Sequence, residues 1–310
     1  EMYMKRFQLH ALNDDIRSDP ADFIARCDGR YDRMVVETAQ AAAKNIQNSP
    51  IILLAGPSGS GKTTTATRIR QELERHGIGT HAVSLDDYYR NPLAPDYPKT
   101  EDGEPDLESP LGLDIPLLEQ HLTDLAAGRE ITVPHFDFKT HTRDESKAWQ
   151  LQLQPDEMVV FEGLHALNPL FTERHPHAFR IAISAASDLY DGDTLLLHHD
   201  QFRLLRRSVR DLYHRNAPAL ETLSLWGNVG RGERLYINPY RDQANVVLNT
   251  SLGYELSVLY PIAAPYYAAL PADAPEMESV KAIARAAQLV EPIDGGLVPQ
   301  SSLMRQEFMQ

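Results

Sequence analysis

The sequence predicts an α/β fold, a parallel sheet flanked by helices, and three observations carry that expectation. Short, wholly apolar runs alternate with segments of helical periodicity. The first of these runs, residues 51–55, leads through a glycine-rich loop straight into a helix. Two later runs end on the acidic residues Asp86 and Glu162. Strands that are apolar throughout, joined through helices, require a sheet covered on both faces.

Residues 21–45 read as a helix with Phe23, Ile24, Tyr31, Met34, Val35 and Ala42 as its apolar positions. Residues 1–49 are therefore expected to form a helical extension packed on the core. The strand at 51–55 is followed by a helix at 64–76 that ends at Gly77, because glycine tolerates the left-handed turn that closes a helix. A second strand at 80–85 stops at Asp86 and Asp87, and residues 90–112, rich in Pro, Asp, Glu and Gly, read as irregular loop. A helix at 115–127 ends at Gly128, and further strands are expected at 158–161, 179–184 and 245–248. The main domain is expected to span 50–270. Residues 271–310 follow as a Pro/Ala-rich linker, a helix at 276–289 and a polar tail.

The composition narrows the class. The chain has 310 residues, 42% hydrophobic and 24% charged, in the ordinary range for a globular protein that buries a real core. No apolar run approaches the length of a membrane span, and no membrane partner is expected. Cys27 is the single cysteine, which excludes an intrachain disulfide and fits a reducing cytoplasm. A net charge of −14 disfavours nucleic acid as a partner, since the surface repels polyanions. A phosphate site must then be a local basic pocket. The expected partner is a small-molecule acceptor, with room for a homo-oligomer.

The chemistry begins at Gly56-Pro57-Ser58-Gly59-Ser60-Gly61-Lys62-Thr63-Thr64. The spacing G-x-x-x-x-G-K-T after an apolar strand and before a helix is that of a P-loop. Its glycines let backbone N–H groups approach phosphates, and the helix N-terminus adds positive potential. Gly56, Ser58, Gly59, Ser60, Gly61, Lys62, Thr63 and Thr64 are the expected ATP-binding residues. Lys62 would reach the β- and γ-phosphates, and Thr63 would ligate Mg²⁺. Glu162, at the carboxyl end of a neighbouring strand, is the natural partner of Thr63 at that ion. Asp86 sits where a carboxylate can take the proton of an attacking hydroxyl. The plain alternative is that each acid only caps the segment after it, and Asp87 is read as structural.

A second basic feature is the run Arg203, Arg206, Arg207, Arg210 and Arg215, at helical spacing on one face. In so acidic a chain it reads as an anion-binding lid rather than a solvated helix face. Phe136, Phe138 and His141 alternate in a segment that would line a cleft for a planar substrate, or else form an ordinary half-buried hairpin. Trp226 is expected to pack, and the histidines show no metal-site spacing.

Together these segments resemble the uridine kinase and phosphoribulokinase group of P-loop kinases. The matching pieces are "GPSGSGKTT", "VSLDDYYR", "GEPDLESPLGLD", "VPHFDFKTHTR", "VVFEGLHALNP", "RLLRRSVRD" and "YINPYRDQANVVLN", in the right order over roughly 50–255. "EGLHALNP", "ETLSLWGNVGRGE" and "LGYELSVL" look most like a bacterial uridine-kinase-like branch, whose members often carry an N-terminal domain related to part of threonyl-tRNA synthetase. Residues 1–49 look like the connector that follows that domain. The resemblance implies Asp86 as the base on a 5'-hydroxyl, and Thr63 and Glu162 at Mg²⁺. It puts Tyr89, Glu108, Phe136, Phe138, His141 and Arg207 at nucleoside contacts, Arg210 and Arg215 at ATP, and Lys62 and Arg207 beside Asp86 in catalysis.

This sequence departs from the family pattern at four positions. Glu108 stands where an aspartate usually holds the ribose hydroxyls. Phe136 replaces a tyrosine that helps read the pyrimidine edge, so it stacks but cannot hydrogen-bond there. The lid's "RGR" reads Arg215-Asn216-Ala217, and Leu225 aligns with an expected glutamine. The expectation is an ATP- and Mg²⁺-dependent kinase of a small primary alcohol, foremost a uridine- or cytidine-like nucleoside. The alternatives are a kinase of a sugar, sugar phosphate or polyol, and a nucleotide sensor without transfer.

Overall fold

The computed structural model describes residues 6–310, so the first five residues of the expected extension lie outside it. The chain enters through strand β1 (Arg6–Gln8) and helices α1 (Leu9–Ser18) and α2 (Pro20–Lys44). Asp19 starts α2 by accepting the Asp22 N–H, and Pro20 occupies a position whose N–H would have no helical partner. Then come β2 (Ile51–Ala55), α3 (Lys62–Arg75), β3 (Gly79–Ser84) and α4 (Ile115–Ala126). Four short strands follow: β4 (Ile131–Val133), β5 (Phe136–Asp137), β6 (Thr142–Arg143) and β7 (Trp149–Leu151). They form two antiparallel pairs, β4 with β7 and β5 with β6. The chain continues through β8 (Glu157–Glu162), α5 (Pro169–Thr172), β9 (Phe179–Ser184), β10 (Asp188–Asp191) and β11 (Thr194–Leu197). It closes with α6 (His199–His214), α7 (Ala219–Tyr236), β12 (Val246–Asn249), α8 (Glu255–Ala268), α9 (Met277–Leu289) and α10 (Leu303–Glu307).

The main sheet has five strands in the order β12-β9-β2-β8-β3, every pairing parallel. Its central strand, β2, is buried along its whole length, which is why its sequence does not alternate. The period of two still sorts its side chains. Ile52 and Leu54 enter one core with Ile69 of α3, Ile24 and Tyr31 of α2, and Leu204 and Leu205 of α6. Ile51 and Leu53 enter the other with Leu118, Leu122 and Leu125 of α4. Because all five strands run the same way, their carboxyl ends lie along one edge, where ligands of open α/β sheets bind. The loop 56–61, Asp86 and Glu162 all issue from that edge. No described helix is long and apolar enough to cross a membrane.

The structure departs from the sequence reading at both ends. Strand β1 pairs with β10, and β10 with β11, in a separate three-stranded sheet. These strands have three or four residues, too few for alternation to declare itself. The tail expected to be polar is not solvated: Leu303, Met304 and Phe308 are wholly buried in the core shared with α3 and α6. Its apolar residues fall within the short α10 and on Phe308 just after it, too few for a periodic pattern to declare itself in the sequence. Helix α3 also begins two residues earlier than expected, at Lys62, because Gly61 takes a φ of 81° at its N-cap and turns the chain directly into it.

Docking of the tail makes a stability prediction. Phe308→Ala should cost about 3–5 kcal/mol, as for a large buried aromatic, measured by urea unfolding. An undocked polar tail would give a change within about 0.5 kcal/mol.

Candidate active site

The loop between β2 and α3 depends on left-handed backbone at Gly59 (φ 75°) and Gly61. A Cβ on Gly59 would press on the Arg203 carbonyl at 3.1 Å, so the glycine also permits α6 to approach. Gly56 lies behind the loop, where a Cβ would meet Ile183 Cβ at 2.9 Å. The Ser60 hydroxyl is buried and has no hydrogen-bond partner among the described residues.

Helix α6 packs against this loop, and its arginines divide into two groups. Arg203 Nε donates to Ser58 O at 3.1 Å, while its other nitrogens bind Asp200 and the buried Glu233. Its guanidinium also lies over the Trp226 ring, which packs as expected. Arg206 is fully buried. It donates to both carboxylate oxygens of Glu255 at 3.0 and 2.7 Å, to Thr250 O at 2.9 Å and, more weakly, to Gly59 O at 3.4 Å. These two residues therefore correct the reading of the run as a single lid. A charge this deeply buried needs a full set of partners, and Arg203 and Arg206 spend theirs on acids and on the loop's carbonyls. Helical spacing put them on the right face but could not distinguish a brace beneath the loop from a contact above it.

Arg207, Arg210 and Arg215 reach the cleft. Arg207 Nη1 donates to Ser58 Oγ at 2.9 Å, and all three surround one buried carboxylate, Asp211. Burial pushes Arg207 and Arg215 below the ordinary guanidinium value, and Arg210 adds repulsion to each. Three cations sharing one acid leave a local positive surplus in an otherwise acidic protein.

The cleft has an empty volume of about 1700 Å³, its open mouth included. Its wall contains Ser58, Gly59, Ser60, Gly61, Lys62, Thr63, Asp86, Tyr89, Glu108, Phe136, Phe138, His141, Glu162, Arg207, Arg210 and Arg215. Of the residues expected at the site, only Gly56 and Thr64 are not in that wall. Lys62 Nζ is 2.7 Å from Glu162 Oε1. Asp86 makes no side-chain hydrogen bond or ion pair among the described residues, so it is not acting as a cap. The crowded walls push its carboxyl up, Lys62 pulls it down, and Glu162 and Asp87 push it up further. Asp87 instead accepts the Phe136 N–H at 3.2 Å and lies 3.1 Å from His135 Nδ1, tying β5 to the turn after β3.

The opposite wall is aromatic. Tyr89, Phe136 and Phe138 have ring centroids 5.0 to 6.2 Å apart in tilted and edge-on contacts. Phe138 is more than half exposed, and His141 beside it has a φ of 55°. Glu108 is carried by the irregular loop, which is not loose. Asp106 accepts from Arg231 at 2.7 Å, from the Tyr236 hydroxyl at 3.1 Å and from the Glu108 N–H at 3.1 Å. Burial raises the Glu108 carboxyl, opposed by Arg207. Leu225 points outward from α7 and is not in the cleft wall, and Ala217 lies in the turn after α6 without adding charge. Sequence reasoning missed Tyr97, Leu107, Val229, Glu233 and Glu307, all of which line the cleft. Glu307 lies some 240 residues from the loop it meets, and no local pattern announces it.

The Thr63 hydroxyl and Glu162 carboxylate share the cleft and are the hard oxygen donors that suit Mg²⁺. One cluster of metal-ligating side chains lies elsewhere, Asp188, His198 and His199. Its groups are engaged in starting α6: His198 caps the helix, and Asp188 accepts from the His199 N–H and ring.

Comparisons with known proteins show which family the chain resembles. The model of the Phosphoribulokinase / Uridine kinase family matches residues 51–252. A uridine kinase of Staphylococcus haemolyticus is 29% identical over 202 residues, 65% of this chain and 87% of that one. A uridine kinase of Macrococcus caseolyticus is 28% identical over 205 residues, covering 66% and 89%. Among solved structures, a possible uridine kinase from Bacillus stearothermophilus aligns with a TM-score of 0.41 at 18% identity, over 64% of this chain and 88% of that one. A D-glycerate 3-kinase from Cryptococcus neoformans aligns with a TM-score of 0.35 at 18% identity, over 88% and 93%.

The brace beneath the loop is testable without substrate. Arg206→Ala strands Glu255 in the core and should destabilise the protein by about 3–5 kcal/mol in chemical denaturation. A loss below about 1 kcal/mol would mean that the pair does not hold the loop.

Proposed function

The chain belongs to the Phosphoribulokinase / Uridine kinase family and is a small-molecule kinase, and from that premise we propose that it transfers the γ-phosphoryl group of ATP to the 5'-hydroxyl of a uridine- or cytidine-like nucleoside. The observation that carries this reading is Asp86, an unpaired carboxylate in one cleft between the phosphate loop and an aromatic wall.

In the proposed reaction the base of the nucleoside stacks among Tyr89, Phe136 and Phe138. Glu108 accepts hydrogen bonds from the sugar hydroxyls, and His141 and Arg207 complete the acceptor contacts. Asp86 orients the 5'-hydroxyl and takes its proton as the oxygen bonds to the γ-phosphorus. The bond from that phosphorus to the β,γ-bridging oxygen breaks, and ADP leaves. Loop residues 56–64 hold the donor's phosphates. Lys62 exchanges its Glu162 partner for phosphate oxygens, while Arg207, Arg210 and Arg215 stabilise the charge on the transferring group. Thr63 and Glu162 are the residues that would hold Mg²⁺, which neutralises phosphate charge when bound. Closure of the cleft excludes water, which would otherwise accept the phosphoryl group.

One observation favours a second reading within the same chemistry. Phe136 offers no hydrogen bond to a pyrimidine edge, so the wall suits a sugar, sugar phosphate or polyol where base reading is not required. A panel of nucleosides, pentose phosphates and polyols with ATP decides between them. The nucleoside reading predicts a monophosphate product from uridine or cytidine, and turnover confined to non-nucleosides overturns it.

Two further outcomes are expected. Asp86→Asn should lower kcat by about 10²–10⁴-fold while the Kd for ATP stays nearly constant, whereas a nucleotide sensor would have no transfer to lose. A protonated Asp86 cannot accept the hydroxyl proton, and its folded pKa is raised. Activity should therefore fall on acidification at a pH above the ordinary aspartate value of about 3.9. A kcat/KM profile with no acid limb above that value would count against Asp86 as the base.

A further inference from the structure

The residue that the donor site shares with the far end of the chain is Glu307. Its Oε2 accepts the Thr64 backbone N–H at 3.1 Å and also the Thr64 hydroxyl. These are donors in the first turn of α3, where the unpaired N–H groups and the helix dipole favour an anion. Glu307 also lines the same cleft as Lys62, Thr63 and the three arginines. A carboxylate therefore stands, with its charge, on donors that the phosphate loop would otherwise offer to a nucleotide.

The segment carrying it is firmly held. Leu303, Met304 and Phe308 are wholly buried, and a Cβ on Gly61 would meet Leu303 Cδ1 at 3.2 Å. Ser302 Oγ bonds the Tyr254 hydroxyl at 2.6 Å, and Gln306 Oε1 accepts from Arg68 at 3.0 Å. The Phe308 ring packs 5.2 Å from the Arg206 guanidinium that braces the loop. With its neighbours anchored, Glu307 can leave Thr64 by rotating its own side chain and without undocking the tail.

We propose that Glu307 is a residue of the donor site that stands in for a nucleotide phosphate: its carboxylate holds Thr64 while the site is empty and has to swing away when ATP or ADP binds. The proposal rests on the reading of residues 56–64 as the nucleotide-binding loop. It makes donor affinity a competition between a tethered carboxylate and a phosphate. The apparent affinity is reduced by the fraction of molecules in which Glu307 occupies Thr64. The acceptor half of the cleft is untouched by that competition.

The test is direct binding of ATP and of ADP, by calorimetry, to the wild-type protein, Glu307→Ala and Glu307→Gln. The alanine variant removes the competing anion and should bind both nucleotides about tenfold tighter. The glutamine variant is isosteric, keeps the tail packing and removes only the charge, and should fall between the two. Uridine affinity should be the same in all three. Equal nucleotide affinity in wild type and both variants, or weaker affinity in the variants, overturns the proposal, because Glu307 would then be an ordinary helix cap or a supporting contact. Absence of nucleotide binding in wild type and variants alike refutes the donor-site reading itself, and the proposal with it.

Discussion

The buried pair of Arg206 and Glu255 is the interaction on which the rest of the site depends. A guanidinium removed from water is tolerable only when nearly every donor is satisfied, and here the acceptors are Glu255, Thr250 and the carbonyl of Gly59. That requirement fixes α6 against the phosphate loop and orders the start of α8 at the same time. Arg203 repeats the device one turn earlier through Ser58 O and Glu233. The loop's glycines supply the conformation, and the two arginines keep it from relaxing. The brace ties the carbonyls of Ser58 and Gly59 to α6, which favours a cradle already in its binding conformation over one ordered by its ligand.

Around that cradle the charges are deployed against the trend of the chain. The protein carries a net charge of −14, yet its cleft gathers Lys62, Arg207, Arg210 and Arg215. The same wall carries Asp86, Glu108, Glu162, Glu233 and Glu307, and Glu162 and Asp211 pair directly with Lys62 and the arginines, so the cations are concentrated at the phosphate loop rather than in excess over the cleft as a whole. In the proposed reaction a polyphosphate replaces Glu162 and Asp211 as the partner of the cations, which frees Glu162. The Asp86 side chain has no hydrogen-bond or ion-pair partner among the described residues, whereas Glu162 is paired with Lys62. A carboxylate left without a side-chain partner, and held above its ordinary pKa by its surroundings and by Glu162 and Asp87, is an arrangement suited to taking a proton during phosphoryl transfer.

Much of this was legible in the sequence because it is local. An apolar strand, a glycine loop and a helix are contiguous, and Asp86 and Glu162 are marked by ending apolar strands. The acceptor roles proposed for Glu108 and Phe136 rest on resemblance, since nothing in their own neighbourhood separates a binding wall from a half-buried hairpin. The division of the arginine run was not legible: Arg206 and Arg207 are neighbours, and only the positions of Glu255 and Asp211 decide which one is buried. Glu307 and the docked tail were equally hidden. Their meaning depends on contact with Gly61 and Thr64 across the length of the chain, and that contact exists only once the sheet has formed.

A crystal structure with a non-hydrolysable ATP analogue and a nucleoside would test the central claim, a rigid cradle whose side chains alone rearrange. The account predicts that the backbone of residues 56–63 stays in place, that Lys62 leaves Glu162 for the phosphates, and that the acceptor hydroxyl lies within hydrogen-bond distance of Asp86. A loop that rebuilds its backbone to admit the nucleotide, or an acceptor bound away from Asp86, would contradict it.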